Sequence, residues 1–543
     1  MEIFKFYLEF GGDFMKNRII AMVSAVVLSL SIFVFPVSFN DKSVVIADAA
    51  TDAWGREYEV YGSLKYWDKS DGTVGIVGFD INQSEVTIPD KINGKTVSAI
   101  ENYAFRDAVL VKEIKLPASV TYIGNRAFYN CKLLESINIP TGVKSIGEYA
   151  FNLCYNLKAI NLPDTVGSIG QYCFADSGLV NIILPNSVKN IGYRAFFNDA
   201  DLTTAVMPKS VDSIGKYVFA YCKKLKSVTL PDNLTSIPDN FFERCCSLTD
   251  LKIPESVTSI GKKAFYCCES LDSIVVPENT VTIGESAFDM CTGLKNVTLY
   301  DNITKINKYA FMNCKLLETI HIPTSISKLE TRTFYGCESL KELVIPGNVT
   351  VIDSNNFYGC TGLEKVVIKD GVKQILMSAF SGCTGLKEMT VPKSVTTFGT
   401  DTFKNCNQLT LMIYKKTVSE TYAKVNNINF KYIDNGELKY QLADLHDGTF
   451  GIRFILIVDE EDVSNAENGS VYISVPDQGN SGIITINKAY RSVIASGKTV
   501  TAGEGKVFLL GKFMDIPEDL LDGIVAHFKL GDITYERTVS YSM

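Results

Sequence analysis

The stretch Ile260–Thr282 reads IGKKAFYCCESLDSIVVPENTVT, and the same phrase begins again with IGESAF at Ile283. A fixed period of this length is typical of a solenoid, in which one turn is too small to bury its apolar side without its neighbours. Twelve of the thirteen intervals between the repeat phenylalanines are 23 residues, and the interval from Phe174 to Phe196 is 22. These phenylalanines are Phe105, Phe128, Phe151, Phe174, Phe196, Phe219, Phe242, Phe265, Phe288, Phe311, Phe334, Phe357, Phe380 and Phe403.

Each position of the repeat has a physical role. Two aliphatic residues separated by one residue, such as Leu343 and Ile345, predict a short strand with both side chains directed inward. A proline follows this pair in eleven turns and ends the strand, as Pro346 does. A later isoleucine is commonly followed by glycine, as in Ile260-Gly261, which indicates a close approach or an unusual backbone conformation. Stacked turns of this kind predict parallel strands and about 14 turns of 23 residues.

The succession Cys, Leu, Ile-x-Ile-Pro, Val, Ile-Gly and Ala-Phe resembles the BspA-like, or treponemal-type, bacterial leucine-rich repeat. The resemblance covers residues 72–433, and SETYAKVNNINFKYI, at Ser419–Ile433, is similar to the closing turn of that family. It implies an α/β leucine-rich repeat solenoid of short parallel strands. It also implies a surface-exposed or secreted protein that binds proteins or host matrix without catalysis, although a fold alone does not establish a function.

Three other segments flank the array at 100–435. Residues 1–49 have the layout of a secretory signal peptide, with Lys16 and Arg18 before the apolar run Ile19–Phe35 and a small-x-small site at Ala47–Ala49. Met15 is an alternative start, and a retained membrane anchor is the alternative interpretation. Residues 50–99 predict an N-terminal β cap with a hairpin turn at Asp71-Gly72. Residues 436–543 lose the period and alternate apolar and polar residues, which predicts an all-β, sandwich-like domain of seven or eight strands.

Eleven of the fourteen cysteines lie three residues after a repeat phenylalanine, which places them in one column. The column predicts buried free thiols, because ligands arranged in a line do not make a tetrahedral metal site. Cys246 and Cys267 lie off the column, and a disulfide between them is an open alternative. Ser177 and Asp199 replace the cysteine on either side of the short interval, where we expect a slight kink or a change of register.

Charge and motif content exclude several function classes. The formal net charge of −8 with scattered Lys and Arg argues against nucleic acid as a partner, and against a membrane beyond the signal segment before its cleavage. The three histidines are far apart in sequence, so neither a metal site nor a histidine-based catalytic site is expected. The sequence contains no GxSxG, P-loop or HExxH motif, and we expect no cofactor and no catalytic residues.

Two columns of outward residues are candidates for ligand contact. The residue between the two strand aliphatics points outward, and the central part of this sheet-face column consists of Thr229, Lys252, Val275, Thr298, His321 and Val344. Its β-branched character indicates either strand propensity or a weakly polar binding strip. A second, interrupted column lies two residues before the repeat phenylalanine, where packing of rings between turns is expected: Tyr103, Tyr149, Tyr172, Tyr217 and Tyr309.

These observations predict a bacterial scaffold, secreted or associated non-covalently with the cell surface, that binds an extracellular protein or glycan ligand. A structural, wall-associated spacer is one alternative. An enzyme with its activity in the C-terminal domain is another, because paired carboxylates leave no recognisable motif.

Overall fold

The computed structural model describes residues 57–80 and 83–433, together with the backbone of residues 50–51 and of eleven strands between residues 437 and 538. The predicted signal peptide at 1–49 lies outside the described residues. The described array is a parallel β-solenoid of about 16 turns of ~23 residues.

The cap begins with strands Glu57–Tyr61 and Leu64–Asp68, which pair antiparallel. Strand Val74–Phe79 pairs antiparallel with Leu64–Asp68 across a turn that contains the predicted Asp71-Gly72, with Gly72 at a φ of 80°. On its other side Val74–Phe79 pairs parallel with Lys95–Ile100. The cap hairpin therefore continues directly into the parallel array.

The strands of the array form two parallel ladders, one from each of two positions in the repeat. In the isoleucine ladder each strand ends with the apolar residue that usually precedes glycine. Its strands are Lys95–Ile100, Tyr122–Ile123, Ser145–Ile146, Ser168–Ile169, Asn190–Ile191, Ser213–Ile214, Ser236–Ile237, Ser259–Ile260, Thr282–Ile283, Lys305–Ile306, Lys328–Leu329, Val351–Ile352, Gln374–Ile375 and Thr397–Phe398. The proline-side ladder precedes the repeat proline, and its strands are Glu85–Thr87, Glu113–Lys115, Ser136–Ile137, Asn181–Ile183, Thr204–Val206, Ser227–Thr229, Ser273–Val275, Asn296–Thr298, Glu342–Ile345, Lys365–Ile368, Glu388–Thr390, Thr410–Ile413 and Asn429–Tyr432. A short strand, Lys91–Ile92, pairs antiparallel with Lys95–Ile100, and Ala50–Thr51 is a further two-residue strand.

The repeat phenylalanines form the centre of the core. All fourteen are buried, and neighbouring rings lie 5.0–5.9 Å apart between centroids. Phe79 extends the stack at the cap, 5.4 Å from Phe105. The array has more than the predicted 14 turns because Val74–Phe79 and Asn429–Tyr432 add strands outside the phenylalanine count.

The α part of the predicted α/β fold class is wrong. Within residues 57–80 and 83–433 the structure has a single α-helix, Val418–Val425. Each turn carries two residues in the left-handed region, one two positions before the phenylalanine and one two after it, such as Lys263 at φ 53° and Cys267 at φ 58°. A left-handed residue interrupts a right-handed helix. The Phe265 N–H instead donates to the Ala287 carbonyl of the next turn, at 2.8 Å.

The short interval does not change the pairing register of the isoleucine ladder, because Ser168 pairs with Asn190 and Ile169 with Ile191, and the predicted kink stays a prediction. The missing residue falls after Ser177, so that Leu179 follows Phe174 by five residues. Gly178 fills the tightened loop and donates its N–H to the Cys154 carbonyl, at 3.1 Å. The Phe174 and Phe196 rings still lie 5.4 Å apart and within 9° of parallel. The shortening is therefore absorbed in a loop and does not interrupt the core.

The closing turn covers the last phenylalanines. Helix Val418–Val425 begins after Thr417, whose side chain accepts the Glu420 N–H. Tyr422 of this helix stacks on Phe398 with a centroid distance of 4.3 Å. This turn thus ends the array with an aromatic contact between side chains of different elements.

The C-terminal region is described by its backbone alone. Thr449–Asp459 pairs antiparallel with Glu437–Asp444, Lys506–Leu510 and Met514–Pro517. The other strands are Gly469–Val475, Gly479–Ile486, Ala489–Tyr490, Ser492–Ala495, Lys498–Thr501, Val525–Leu530 and Ile533–Thr538. Antiparallel strands agree with the predicted all-β character, and a sandwich arrangement stays a prediction.

Candidate binding surfaces

The structure exposes every residue of the predicted sheet-face column. Val275 is 55% exposed, whereas its neighbours Ile274 and Val276 are buried. Val344 is 52% exposed between the buried Leu343 and Ile345. The alternation follows from the period-two geometry of a strand. The six exposed residues are Thr229, Lys252, Val275, Thr298, His321 and Val344.

The column is divided by breaks in the proline-side ladder. Val275 pairs with Thr298 in the parallel register, but Lys252 and His321 lie in turns where no strand forms. In those turns a single bridge remains, between Ser227 and Asp250 in the first and at the corresponding residues in the second. The six residues thus share one side of the array without forming one continuous ladder.

A cleft of about 470 Å³ opens where the ladder breaks at Lys252. In the preceding turn the Met207 N–H donates to the Thr229 carbonyl at 3.1 Å, and among the described residues no such bond joins Leu230 to Lys252. The cleft thus lies where this backbone bond between turns is missing. The cleft is lined by Ser227, Val228, Thr229, Leu230, Asp232, Asp250, Lys252, Pro254 and Glu255.

Carboxylates on this face are held by different partners in the two broken turns. At the cleft, Lys209 pairs with Asp232 at 2.7 Å, and its hydrogen bond lowers the pKa of Asp232. Three turns later, Asp301 accepts the Thr324 N–H at 2.7 Å and lies 3.0 Å from His321 Nε2. The backbone hydrogen bond from Thr324 is the main cause that lowers the pKa of Asp301. His321 of the sheet-face column is therefore a partner of Asp301.

The tyrosine column is continuous through the first part of the array because two arginines fill its gaps. Tyr149 and Tyr172 stack at 4.6 Å between ring centroids. The guanidinium of Arg126 lies 4.5 Å from the Tyr149 ring, and that of Arg194 lies 5.5 Å from the Tyr172 ring and 4.7 Å from the Tyr217 ring. We call the set Tyr103, Arg126, Tyr149, Tyr172, Arg194 and Tyr217 the Arg–Tyr stack.

The contact between Tyr149 and Tyr172 confirms the predicted packing of rings between turns for these two residues, and the arginines extend it. The sequence analysis missed Arg126 and Arg194, although both occupy the same repeat position as the tyrosines, two residues before the phenylalanine. Planar guanidinium groups take the place of a ring because they stack on aromatic faces. Tyr309, the last residue of the predicted column, lies outside the stack and contacts Lys308 at 5.5 Å.

The cysteine column is the predicted ladder of buried free thiols. Each of the eleven thiols donates to the carbonyl of the phenylalanine in the preceding turn, with Sγ to oxygen distances of 3.0–3.3 Å. Burial raises the pKa of Cys222, Cys245 and Cys268. Cys246 and Cys267, for which a disulfide was the open alternative, are free. The thiols are thus structural hydrogen-bond donors that are shielded from reaction.

Comparison with known families agrees with the repeat. A model described as "BspA type Leucine rich repeat region" matches residues 80–203, 190–318 and 304–429. The chain belongs to the BspA-type leucine-rich repeat family. This BspA-type chain is similar to the solved structure of a leucine-rich repeat protein from Bacteroides ovatus, which is 32% identical, covers 69% of this chain and 99% of its own, and superposes with a TM-score of 0.63.

Two further solved structures are similar to this BspA-type chain. A leucine rich cell surface protein from Faecalibacterium prausnitzii is 28% identical over 68% of this chain and 97% of its own, with a TM-score of 0.40. The T. pallidum leucine rich repeat protein is 28% identical over 40% of this chain and 91% of its own, with a TM-score of 0.32. No curated protein sequence matches the chain.

One position of the cysteine column in this BspA-type core carries a carboxylate. Asp199 replaces the column cysteine and is fully buried; its Oδ1 accepts a hydrogen bond of 2.7 Å from Ser177, and its Oδ2 has no partner. Burial raises the pKa of Asp199 well above its ordinary value. The pair Ser177–Asp199 links the two turns that lack the cysteine, in place of the bonds from thiol to carbonyl.

Within the part of the chain that the structure describes, no group of three or more His, Cys, Asp or Glu side chains has an arrangement that could hold a metal ion. The described helices include none with the length and apolar character needed to cross a membrane.

Proposed function

We propose that this BspA-type protein is a non-catalytic scaffold that binds an extracellular protein or glycan through its sheet-face column. The observation that carries the proposal is the exposure of β-branched side chains on one side of the array, at Val275 and Val344 among others, on the face that solenoids commonly use for binding. Leucine-rich repeat proteins of this family are generally non-catalytic scaffolds, which supports the same conclusion.

The proposal includes a division of the chain and a location. Residues 1–49 act as a secretory signal peptide, 50–99 as the N-terminal cap, 100–435 as the binding array, and 436–543 as a separate all-β, sandwich-like domain. Export through the signal segment, followed by free secretion or non-covalent retention at the cell surface, brings the column into contact with extracellular ligands.

The cleft beside Lys252 gives the column a concave part. Its walls combine the Thr229 and Lys252 side chains with backbone of the two adjoining turns and with carboxylates. Polar groups in a concave site fix the orientation of a ligand, and the exposed Val275 in the next turn supplies apolar contact. The two together form a surface that suits a protein segment or a glycan.

The test is binding of the full exported chain to immobilised collagen, to immobilised fibronectin and to a glycan array. We expect saturable binding that falls about tenfold in the variants Val275→Glu and Val344→Glu, because each places a charge in an apolar contact. Val281→Glu is the matched control, since Val281 is an exposed valine outside the column. Equal loss in all three variants, or saturable binding that no column variant changes, would contradict the role of the column.

A further inference from the structure

We propose that the Arg–Tyr stack is a second binding surface and that its ligand is an acidic polysaccharide carrying sulfate or carboxylate groups. The inference rests on the proposed binding role, but it concerns residues that the sheet-face column does not contain. It names the ligand class for this surface.

The first step is the state of the two guanidinium groups. Arg126 Nη1 donates to the Tyr103 hydroxyl at 3.1 Å, and Arg194 Nη1 donates to the Tyr172 hydroxyl at 2.8 Å. Among the described residues Arg194 Nε is buried without a hydrogen-bond partner. A guanidinium has five N–H donors, and within residues 57–80 and 83–433 each of these two groups makes a single hydrogen bond to a side chain, so further donors are left for a ligand.

The second step is preorganisation. The Arg194 guanidinium lies 5.0 Å from the Tyr193 ring and 4.6 Å from the Phe197 ring, in addition to the two rings of the stack. Four aromatic rings therefore hold the Arg194 guanidinium in place, and this side chain is half-buried. Arginine planes held on aromatic faces bind sulfate and carboxylate groups with two parallel hydrogen bonds, and less entropy is lost because the side chain is already ordered.

The third step is the spacing of the charges. Two turns, those of Tyr149 and Tyr172, lie between Arg126 and Arg194. The two arginines are therefore three turns apart, which is about 14 Å along the array. Tyr149 and Tyr172 stack face to face, so each covers one face of the other and a ligand meets the edges of these rings. A polymer with a fixed chemical repeat presents anions along a line at regular intervals, which matches two cations on a regular array.

Charges near the Arg–Tyr stack determine how strongly it is expected to bind an anionic polysaccharide. Glu148 is exposed next to Tyr149 and lies between the two arginines along the stack, where it repels an anion. The whole chain also carries a net charge of −8, which disfavours long-range attraction of a polyanion. Binding should therefore be local, moderate and weakened by salt.

The experiment measures fluorescence polarisation of labelled chondroitin sulfate oligosaccharides with the full exported chain, at low and at physiological salt. We expect saturable binding at low salt that weakens as salt is added, and no binding of neutral dextran oligosaccharides. Arg126→Gln and Arg194→Gln should each weaken the affinity about tenfold, because each removes a charge-assisted contact. Glu148→Gln should tighten it about twofold.

Two further variants keep the test specific. Arg332→Gln is the matched control, because Arg332 occupies the same repeat position, has a left-handed backbone and contacts the single ring of Tyr335 at 5.7 Å. It should bind as the unsubstituted chain does. The double variant Arg126→Lys/Arg194→Lys keeps both charges and should bind more weakly than the unsubstituted chain, because an ammonium lacks the planar fork.

Several results would overturn the inference. These are equal binding of dextran, binding of polyglutamate in place of the sulfated oligosaccharide, or equal loss in Arg332→Gln. If Val275→Glu abolishes oligosaccharide binding while the two arginine variants retain it, the sheet-face column binds the ligand and the stack does not. The proposed function would then stand without this inference.

Discussion

Phe265 is a fully buried ring in the middle of the array. Its centroid lies 5.5 Å from that of Phe242 and 5.0 Å from that of Phe288. We expect Phe265→Ala to lower the free energy of unfolding by about 3–5 kcal/mol, because the cavity removes contacts to two turns at once. Chemical denaturation followed by circular dichroism measures the change.

Leu316→Ala is the matched control for that prediction, since Leu316 is 44% exposed. Its effect should stay within about 1 kcal/mol. A loss in Phe265→Ala no larger than in Leu316→Ala would show that the ring stack is not the main source of stability.

Asp199 makes the stability of the array depend on pH. Its pKa is raised by burial, so the protonated side chain is the form that the folded state prefers. This contribution is fully present below the pKa of the unfolded chain, about 4, and is lost as the pH rises through the folded pKa. The variant Asp199→Asn cannot ionise and has no such loss.

We therefore expect Asp199→Asn to melt at a higher temperature than the unsubstituted chain at pH 8, with a difference that shrinks toward pH 4. Thermal melts at both values measure it. The Ser177 hydroxyl can still donate to the amide oxygen of the new side chain, so the hydrogen bond at this position is retained. A difference that does not change with pH would mean that Asp199 does not titrate on unfolding.

At the scale of the element, glycine is required where two turns approach closely. A Cβ on Gly147 would lie 2.5 Å from the carbonyl carbon and oxygen of Gly124 in the preceding turn. We expect Gly147→Ala to lower the free energy of unfolding by about 1–3 kcal/mol, since backbone of the adjoining turn has to move. The measurement is chemical denaturation of both proteins under the same conditions.

Gly167→Ala is the comparison variant. The nearest atoms to a Cβ at Gly167 are 3.6 Å away, which is an ordinary contact. There alanine should be neutral or stabilising by up to about 1 kcal/mol, because it restricts the unfolded chain. Similar losses at both glycines would refute the explanation by close approach.

The strands and their inward and outward faces could be predicted from the sequence, but the breaks in the ladders could not. The isoleucine ladder breaks after Ser213–Ile214 because Pro238 occupies the glycine position. Gly261 donates its N–H to the Ile237 carbonyl at 2.8 Å, and proline has no N–H with which to make the equivalent bond to Ile214. The proline was visible in the sequence, but its consequence depends on a bond between turns.

The candidate site was predictable to a similar extent. The exposure of Val275 and Val344 follows from strand periodicity. The cleft beside Lys252 depends instead on backbone hydrogen bonds between turns, which cannot be predicted from the type of a single residue. The missing helices have a related cause. Lys263 and other non-glycine residues adopt left-handed conformations because the next turn accepts their backbone hydrogen bonds. The backbone preferences of these residue types do not predict such a conformation.

At the scale of the whole molecule, the array should tolerate the loss of a complete turn. Val351 pairs with Gln374, and Ile352 with Ile375, so deletion of Ile352–Gln374 joins equivalent positions. We expect the shortened chain to keep its circular dichroism spectrum and to melt cooperatively at a modestly lower temperature, because each turn contacts its neighbours alone.

Deletion of Ile352–Leu363 is the contrasting case. It removes about half a turn and brings outward residues to inward positions, so the chain should lose its cooperative melting transition. If both deletions behave alike, either folded or unfolded, the 23-residue register is not what determines the fold.

The thiols bound to phenylalanine carbonyls give this molecule a set of internal reporters. A maleimide reagent can modify such a sulfur atom only when its own turn has opened. The rate at which each cysteine is modified therefore measures how often that turn of the array opens. Cys406, beside the closing helix, should be modified before Cys268, which is fully buried in the middle of the array. Peptide mass spectrometry after timed exposure would then show whether the structure frays inward from its ends or opens all at once.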